Sequence, residues 1–448
     1  MITGAQDSAV SSPHWDCPFC GARLSFRVSG INDDHYLRKC CSCGRGSAHP
    51  LPALRKRIIY LDQCVLSQMM KALEVDRQGH QPKPASSFYS ELFNKLDRLG
   101  KLMLIVCPYS PIHVAESKGF AKLAGEVANQ LSTEGHGIQF EEKFEAIRKL
   151  FVHLSYGTAF HEPRTVRDGQ VLASLKLWIQ GGRSFMSACD PIEVIEGKIN
   201  AWLPTWYGGA DSRLQRGEVA ALEVAKTNLA KNFEPVVNRW RDEKTKRYQD
   251  WFEEEIAGHG STLLNAYHQH EPQIKSIQAR FGMNRFDYPR NLEANLMMRI
   301  LETAEDAGFT GEQRMLKARE FLGSEMFRQI PFVRIGSALW AGLAHHVARA
   351  GWKHKEKYPS ANDVNFISAY LPYCDAMFTE NTCAALLKGK PVDQSVPEHR
   401  KVFSENTKDA FLKFLDGIES TASPEHRAKV IEVYGNGWIV PSTEILAT

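Results

Sequence analysis

Two short cysteine motifs constrain the fold of this chain more than any other part of its sequence. Both have the form C-x-x-C-G, and residues 21–39 separate the cysteines of the first from those of the second. Each motif can turn tightly enough to direct two thiolates at one ion, and its glycine lets backbone amides approach the sulfurs. The spacing therefore predicts a structural zinc site with four ligands: Cys17, Cys20, Cys40 and Cys43.

Some alternatives stay open in this region. Cys41 adjoins Cys40 and is a second candidate for its place, and three histidines are weaker candidates: His14, His35 and His49. A redox pair or idle thiols is the competing interpretation of the cysteines. A site with four thiolates is closed, so we expect the zinc ion to support folding and not catalysis.

Residues 1–50 as a whole predict a small zinc ribbon. They are rich in Ser, Gly, Cys and His and have little periodic apolar content, so a hydrophobic core alone cannot hold them together. Leu24–Val28 and His35–Lys39 are suited to the hairpin of such a ribbon, and Ser47–Pro52 predicts a linker. By analogy with other ribbons, this unit is a possible binding surface for nucleic acid or protein.

Composition sets wide limits on function. The 448 residues predict two or three domains, and 55 basic against 52 acidic residues give a net charge of only +3. Nucleic-acid binding would therefore depend on local basic patches. No apolar run is long enough to cross a membrane, and no secretory signal precedes the cysteines. We expect a cytoplasmic protein whose thiols bind metal or stay free.

After residue 56 the pattern changes to that of an α/β domain. Ile58–Leu61 predicts a buried strand, and apolar residues from Val65 to Leu73 continue at helical spacing. A helix over 88–99, a second buried strand over 102–106 and a helix beginning near Pro111 follow. Strand, helix, helix, strand, helix is typical of a parallel α/β sheet, and we assign its first part to residues 56–134.

Helical periodicity then dominates residues 135–345, which predict a helical insertion or cap without a repeat. Strand signals return at Ala376–Phe378 and Lys401–Phe403. We predict that residues 346–420 complete the same α/β domain and that residues 421–448 form a C-terminal extension.

Acidic residues accompany the predicted strands. Asp62 ends the first strand, where open α/β sheets bind ligands, and Glu116 lies in the helix after the second. Asp363 precedes an apolar helical run, and Asp375 and Glu380 flank the next strand. In a parallel sheet these acids can converge on one edge, where Mg²⁺ or Mn²⁺ would relieve their repulsion. Taken singly, each could also be a surface residue, an N-cap or an ion-pair partner.

The segments that carry these acids resemble, in order, the characteristic blocks of PIN-like domains. The three segments read IIYLDQCVLS from Ile58, YSPIHVAE from Tyr109 and NDVNFISAYLPYCDAMFTEN from Asn362. In that family the first strand ends in a signature Asp, a later helix carries a Glu, and a late acidic segment leads to a strand that ends near another acid. The resemblance covers about residues 57–125 and 330–420. It implies a PIN-like parallel sheet with flanking helices, to which the helical insertion and the zinc ribbon are added.

The resemblance also implies a function. Asp62, Glu116, Asp363 and either Asp375 or Glu380 would bind Mg²⁺ or Mn²⁺, with Glu380 as an auxiliary ligand or base. The chain would then be a metal-dependent endonuclease that hydrolyses phosphodiester bonds. RNA is the expected substrate, although some members of the family cleave DNA, and a toxin or anti-phage defence effector is the expected setting.

Two departures from the family pattern favour a different class of function. Cys64 stands where the family commonly has Asn, and Glu380-Asn381 replaces the usual Asp-containing strand end. The alternative is a catalytically silent adaptor that keeps the PIN-like fold to bind nucleic acid or protein.

Three further classes of enzyme have less support in the sequence. A haloacid-dehalogenase-type site needs an Asp where Cys64 stands, and no G-x-x-x-x-G-K-[ST] motif supports ATP binding. A thiol-dependent enzyme using Cys107 with His113 lacks a supporting signature. His113 is equally well explained as a satisfied, half-buried imidazole or as a residue that orients the acids.

Overall fold

Helices predominate over strands in this mixed α/β protein, which also has a small antiparallel sheet at its N-terminal side. The computed structural model describes these residues: 13–32, 34–77, 84–113, 147, 149–150, 153–180, 195–196, 199–203, 235–281, 291–350 and 359–440. Glu116 lies outside them. In the described part of the chain, no helix combines the length and the apolar character that crossing a membrane requires.

The described strands form two larger sheets and one short pair. They are β1 (His14–Trp15), β2 (Phe26–Ile31), β3 (His35–Cys40), β4 (Gly46–Pro50), β5 (Arg57–Leu61), β6 (Ile105–Val106), β7 (Ala159–Phe160), β8 (Ile195–Glu196), β9 (Ala376–Phe378) and β10 (Val402–Phe403). The first sheet has the order β1-β2-β3-β4 and is antiparallel, the second has the order β10-β9-β5-β6 and is parallel, and β7 pairs with β8.

The helices connect and cover these strands. They are α1 (Gln63–Arg77), α2 (Pro84–Lys101), α3 (Pro163–Gln180), α4 (Tyr248–Phe281), α5 (Leu292–Asp306), α6 (Glu312–Leu322), α7 (Glu325–Arg328), α8 (Pro331–Ala350), α9 (Ala361–Tyr370), α10 (Asn381–Lys388), α11 (Val392–Ser395), α12 (Lys408–Ser420) and α13 (Pro424–Tyr434).

The antiparallel sheet confirms the predicted hairpin between the cysteine motifs, since β2 and β3 pair across it. The linker predicted at Ser47–Pro52 is wrong over its first part, because β4 extends to Pro50 and pairs with His35–Lys39 of β3. This strand carries little apolar sequence. It is held by backbone pairing and by His49, whose ring stacks on Tyr36 at a centroid distance of 5.1 Å. The predicted ribbon is therefore a four-stranded sheet in the described residues.

The parallel sheet unites the two segments that were predicted to share one domain. β5 pairs with β6 on one side and with β9 on the other, so strands from both parts of the chain lie side by side. β6 is shorter than predicted, because Leu102 and Met103 form a turn in which Met103 has a φ of 59°. The chain thus runs from the central strand first to one side of the sheet and later to the other.

Each face of the parallel sheet is covered by a separate hydrophobic cluster. Successive side chains of a strand point to opposite faces. Ile59 and Leu61 pack with α1, α2 and α12 on one face, whereas Tyr60 packs with α3, α4, α5, α8 and α9 on the other. The helical middle of the chain therefore shares a core with the sheet.

The last described helix returns to the ribbon. Val430, Val433 and Tyr434 of α13 share a small core with Tyr36 of β3. Two polar groups of β3, the Tyr36 hydroxyl and the Arg38 guanidinium, donate hydrogen bonds to Glu432, the latter at 2.7 Å. This helix holds the ribbon against the rest of the protein.

Candidate functional site

The four predicted cysteine ligands lie together. Their sulfurs are all within 4.8 Å of one another, and the Cys17–Cys43 and Cys20–Cys40 pairs are each 3.8 Å apart. A tetrahedral zinc ion with Zn–S bonds of about 2.3 Å would place its sulfurs about 3.8 Å apart. The four thiols can therefore hold one metal ion in the geometry of a structural zinc site.

Backbone amides support this site, as the motif glycines suggested. The N–H of Phe19 donates to the Cys17 sulfur at 3.4 Å, and the N–H of Ser42 donates to the Cys40 sulfur at 3.3 Å. Cys41 is exposed and does not belong to the group, so Cys40 is the ligand at this position.

The second candidate site lies at the carboxyl ends of the parallel strands. β5 is the first strand of this sheet in the chain and lies between β6 and β9. The chain adds β6 on one side of β5 and later adds β9 and β10 on the other, so the order of the strands reverses between β5 and β9. In open α/β sheets a crevice forms outside the strand ends at such a switch point, and ligands bind there. Asp62 follows β5 directly, and Thr379 and Glu380 follow β9.

Asp62 is tied to the neighbouring strand by two hydrogen bonds. Its N–H donates to the Phe378 carbonyl at 2.9 Å, and its Oδ2 accepts from the Thr379 hydroxyl at 2.8 Å. Only 6% of Asp62 and 1% of Thr379 are exposed. A buried carboxylate needs such partners, because desolvation otherwise disfavours its charge. Thr379 fixes the carboxyl group of Asp62 at the switch point.

Asp363 and Glu380 lie close enough to influence each other. Asp363 is in the first turn of α9, where it forms a reciprocal capping box with Ser360. Glu380 precedes α10 and reaches solvent. Partial burial of its carboxyl group, and next the negative charge of Asp363, raise the pKa of Glu380 above its usual value. Such a shift is typical of carboxyl groups that share one site.

Two buried thiols lie within range of the charges of these acids. Burial raises the pKa of Cys383, and the charges of Asp363, Asp62 and Glu380 raise it further, in that order. The pKa of Cys64 is raised by burial first, then by Asp62 and Glu380. Both thiols are therefore protonated at neutral pH and lie in the combined negative field. The structure thus brings Asp62, Asp363 and Glu380 to the same edge around Cys383.

Asp375 does not join this group, contrary to the expectation from the sequence. It precedes β9, so it lies at the amino end of that strand, opposite the edge that carries Asp62. Its carboxylate accepts from the Arg57 guanidinium at 2.8 Å and from the Ile58 N–H at 2.9 Å. Asp375 is an ion-pair partner at the other end of the sheet.

The three acids are more widely spaced than the thiols. Among the described residues, the cysteine group alone has three or more potential metal ligands within 4.8 Å of one another. The fourth predicted acid, Glu116, is not described, so its position relative to the others is not defined. The acidic edge is therefore an open arrangement of carboxyl groups, not a closed cage.

A buried imidazole lies next to the end of β5. His113 is 1% exposed, stacks on Tyr60 at a centroid distance of 5.0 Å, and hydrogen-bonds with the backbone of Leu61. Its Nδ1 is 3.1 Å from the Ser110 N–H and must accept from it, so the ring proton is on Nε2. Burial lowers the pKa of His113 to about 4. His113 is therefore a neutral group that supports the strand end beside Asp62.

The thiol-dependent alternative has no support in this geometry. Burial raises the pKa of Cys107, and within the described residues no hydrogen bond joins its sulfur to His113. A nucleophilic thiol needs a nearby base or a lowered pKa. Cys107 has neither.

No family model matches this chain, and no curated protein and no solved structure matches it either. What the acidic edge can do must therefore follow from its own residues. Carboxylate oxygens are the ligands that hard divalent cations prefer. The acidic edge offers three carboxyl groups of this kind at the switch point of the sheet, where open α/β sheets bind their ligands.

Of the residues at this edge, sequence reasoning missed Thr379 and Cys383. Thr379 had a signal, because it follows β9 as Asp62 follows β5. Cys383 had none, since it sits in an apolar context typical of a small buried hydrophobe. Cys64 was singled out only as a departure from the family pattern, and its place in the negative field comes from the structure.

Proposed function

We propose that this protein is a metal-dependent nuclease with a PIN-like catalytic domain. One observation carries the proposal: acids from distant parts of the chain, Asp62, Asp363 and Glu380, share one negative field at the switch point of a parallel sheet. Carboxyl groups in one site repel each other, and a bound Mg²⁺ or Mn²⁺ would remove that repulsion.

Each residue has a distinct role in this proposal. Asp62, Asp363 and Glu380 would hold the cation, with Glu116 as the further ligand that the resemblance implies. Bound at such a site, a divalent cation activates water and stabilises the leaving oxygen of a phosphodiester. Thr379 keeps the Asp62 carboxylate oriented through its hydroxyl, and neutral His113 supports the strand end.

RNA is the substrate we propose, because the chain resembles PIN-like domains and most members of that family are ribonucleases. A toxin or an anti-phage defence effector is the setting that we propose for this activity. The zinc ion of the ribbon would have no part in the chemistry, because four thiolates leave no open coordination position. The ribbon and the helical part of the chain would select substrate or bind a partner protein.

Cleavage assays with matched variants test the proposal. Purified protein with Mn²⁺ should cleave single-stranded RNA, and EDTA should stop the reaction, with activity restored by Mn²⁺ but not by Zn²⁺. Asp62→Asn should reduce the rate by about a hundredfold or more, since it weakens the cation site. Asp375→Asn removes the same charge at the opposite end of the sheet and should keep the activity. Full activity in Asp62→Asn would overturn the proposal.

A catalytically silent adaptor is the second candidate, and specific observations favour it. Cys64 replaces the usual family Asn, Asp363 is engaged in a capping box, and the described acids are not clustered within 4.8 Å. Calorimetric titration with Mn²⁺ separates the two candidates. A nuclease should give a heat of Mn²⁺ binding, and Asp363→Asn should abolish it. The amide oxygen of the substituted side chain can still accept from the Ser360 N–H, so α9 keeps its cap. An adaptor should give no heat of Mn²⁺ binding.

A further inference from the structure

A groove lies beside the acidic edge, between α8 and α10. Its volume is about 440 Å³, within the range of ligand-binding pockets. One wall is a single face of α10, formed by Thr382, Ala385 and Leu386, and the other is the end of α8 from Gly342 to Arg349.

The groove and the acids begin at the same places in the chain. Thr382 lines the groove two residues after Glu380, so their Cα atoms are at most about 7.6 Å apart. The next residue, Cys383, lies in the field of the acids. Pro359 also lines the groove and directly precedes Ser360, the cap of the helix that carries Asp363. A ligand in the groove would therefore lie next to the acidic edge.

The charge of the groove is opposite to that of the edge. Among the described residues, its lining includes His345, His346, Arg349 and Lys390 and no carboxylate. Arg349 and Lys390 are exposed, and neither forms an ion pair within the described structure. Their charges are thus available to a ligand, in a chain whose overall charge is only +3.

Part of the lining of the groove is apolar. Leu343, Leu386 and Val392 contribute this part, and α8 lies close to Val392 at Gly342, where an added Cβ would be 2.4 Å from the Val392 side chain. Apolar contact surface together with exposed cations suits a nucleotide unit, whose base or sugar needs contact surface and whose phosphate needs positive charge.

We infer that this groove binds the single-stranded nucleic acid substrate, with its phosphates at Arg349 and Lys390 and the adjoining nucleotide at the acids. This inference rests on the proposed function, because it assigns the position of the substrate relative to the cation site. In this arrangement the acids hold the cations, and the cationic side chains of the groove hold the phosphates of the same substrate. The groove sets affinity, and the acids set the rate.

Binding experiments on the full chain test the groove. Zinc-loaded Asp62→Asn protein, without added Mg²⁺ or Mn²⁺, is titrated into a fluorescein-labelled single-stranded RNA, and anisotropy is followed at several salt concentrations. Adding Arg349→Ala and Lys390→Ala should weaken binding about tenfold. It should also reduce the slope of log K against log salt by about 1.4, because each lost phosphate contact on a single strand removes about 0.7.

Two exposed lysines outside the groove provide the matched control. Lys244→Ala with Lys413→Ala makes the same charge change and should leave affinity and slope as they were. Equal affinity and equal slope in the groove variant would overturn the inference. So would competition by polyglutamate as effective as that by unlabelled RNA, since the groove would then serve an acidic protein.

The failure of this inference is distinguishable from that of the proposed function. If the wild-type chain cleaves RNA and the groove variant binds RNA normally, the groove inference is refuted and the proposed function stands. If the wild-type chain does not cleave RNA but the groove variant binds RNA more weakly than its parent, the proposed hydrolysis is refuted. The groove then remains a nucleic-acid binding site.

Discussion

The two candidate sites of this protein are assembled in opposite ways. The cysteine site draws its ligands from two turns joined by a hairpin, and its sulfurs lie within 4.8 Å of one another. The acidic edge joins groups such as Asp62 and Thr379, which are 317 positions apart. A local site can form with its own hairpin, whereas a distant one exists only after the sheet has paired.

The two sites also differ in whether their side chains make structural hydrogen bonds of their own. The four thiols have soft donor atoms and together can fill the coordination shell of one zinc ion. At the acidic edge, Asp363 caps a helix and Asp62 binds a neighbouring hydroxyl. A cation there would compete with structural hydrogen bonds, so that site can be open, exchangeable and dependent on the fold around it.

The largest expected effect separates the two sites by removing a thiol. Cys17→Ser should abolish zinc binding by the ribbon, because structural zinc sites contribute about 10–16 kcal/mol and need all their ligands. Bound zinc, measured by elemental analysis, should fall from one equivalent to none. Cys41→Ser, one residue from a ligand, should keep the full equivalent. Retention of zinc by Cys17→Ser would show that the site is not the cysteine group.

Thr379→Val tests how much the hydrogen bond between Thr379 and Asp62 contributes to the stability of the protein. It removes the hydroxyl that donates to the buried Asp62 carboxylate, and hydrogen bonds to charged groups contribute about 2 kcal/mol. Urea unfolding should show a loss of that size. Thr382→Val, three residues further on, removes a hydroxyl that has no hydrogen bond in the described structure and should change stability little.

Acid pH should weaken the support of the acidic edge. The pKa of His113 is about 4 in the folded protein, against an ordinary value of 6.5, so the unfolded chain binds more protons between these values. Stability from this group is complete above pH 6.5, falls as pH decreases, and is lost by about pH 4. Between pH 7.5 and 5 the loss should be about 2 kcal/mol.

His113→Asn keeps an acceptor for the Ser110 N–H but cannot titrate, so its unfolding free energy should lose about 2 kcal/mol less over the same range. Exposed His346→Asn is the control and should follow the wild type. An unchanged pH dependence in His113→Asn would show that His113 is not held neutral.

The smallest expected effect is that of Asp375→Asn. The ion pair with Arg57 is half-exposed, and such pairs contribute about 0–1 kcal/mol. Thermal unfolding should shift little, and the Mn²⁺ heat should match that of the wild type. Loss of Mn²⁺ binding would mean that the cation lies at the amino ends of the strands.

The sequence was sufficient wherever the signal is local. The spacing of the cysteines predicted the closed site, and Ile58–Leu61 predicted the strand that ends at Asp62. The acids around β9 were predicted less well, although the signal was there. A residue that precedes a parallel strand lies at its amino end, which excludes Asp375 from the edge that carries Glu380.

Other features depend on partners that no local pattern reveals. β4 has no apolar alternation, and it becomes a strand because β3 offers it an unpaired edge. The field at Cys383 arises from acids in three separate segments of the chain. Such properties follow from the assembled sheet and cannot be read from neighbouring residues.

The contact between α13 and the ribbon has a consequence for synthesis. Tyr36 and Glu432 are 396 positions apart, so the ribbon leaves the ribosome long before its partner helix is made. During that interval the nascent ribbon can capture its metal ion but exposes the ring of Tyr36. Docking of α13 then covers that ring, so the contact joins two segments whose synthesis is separated by 396 residues.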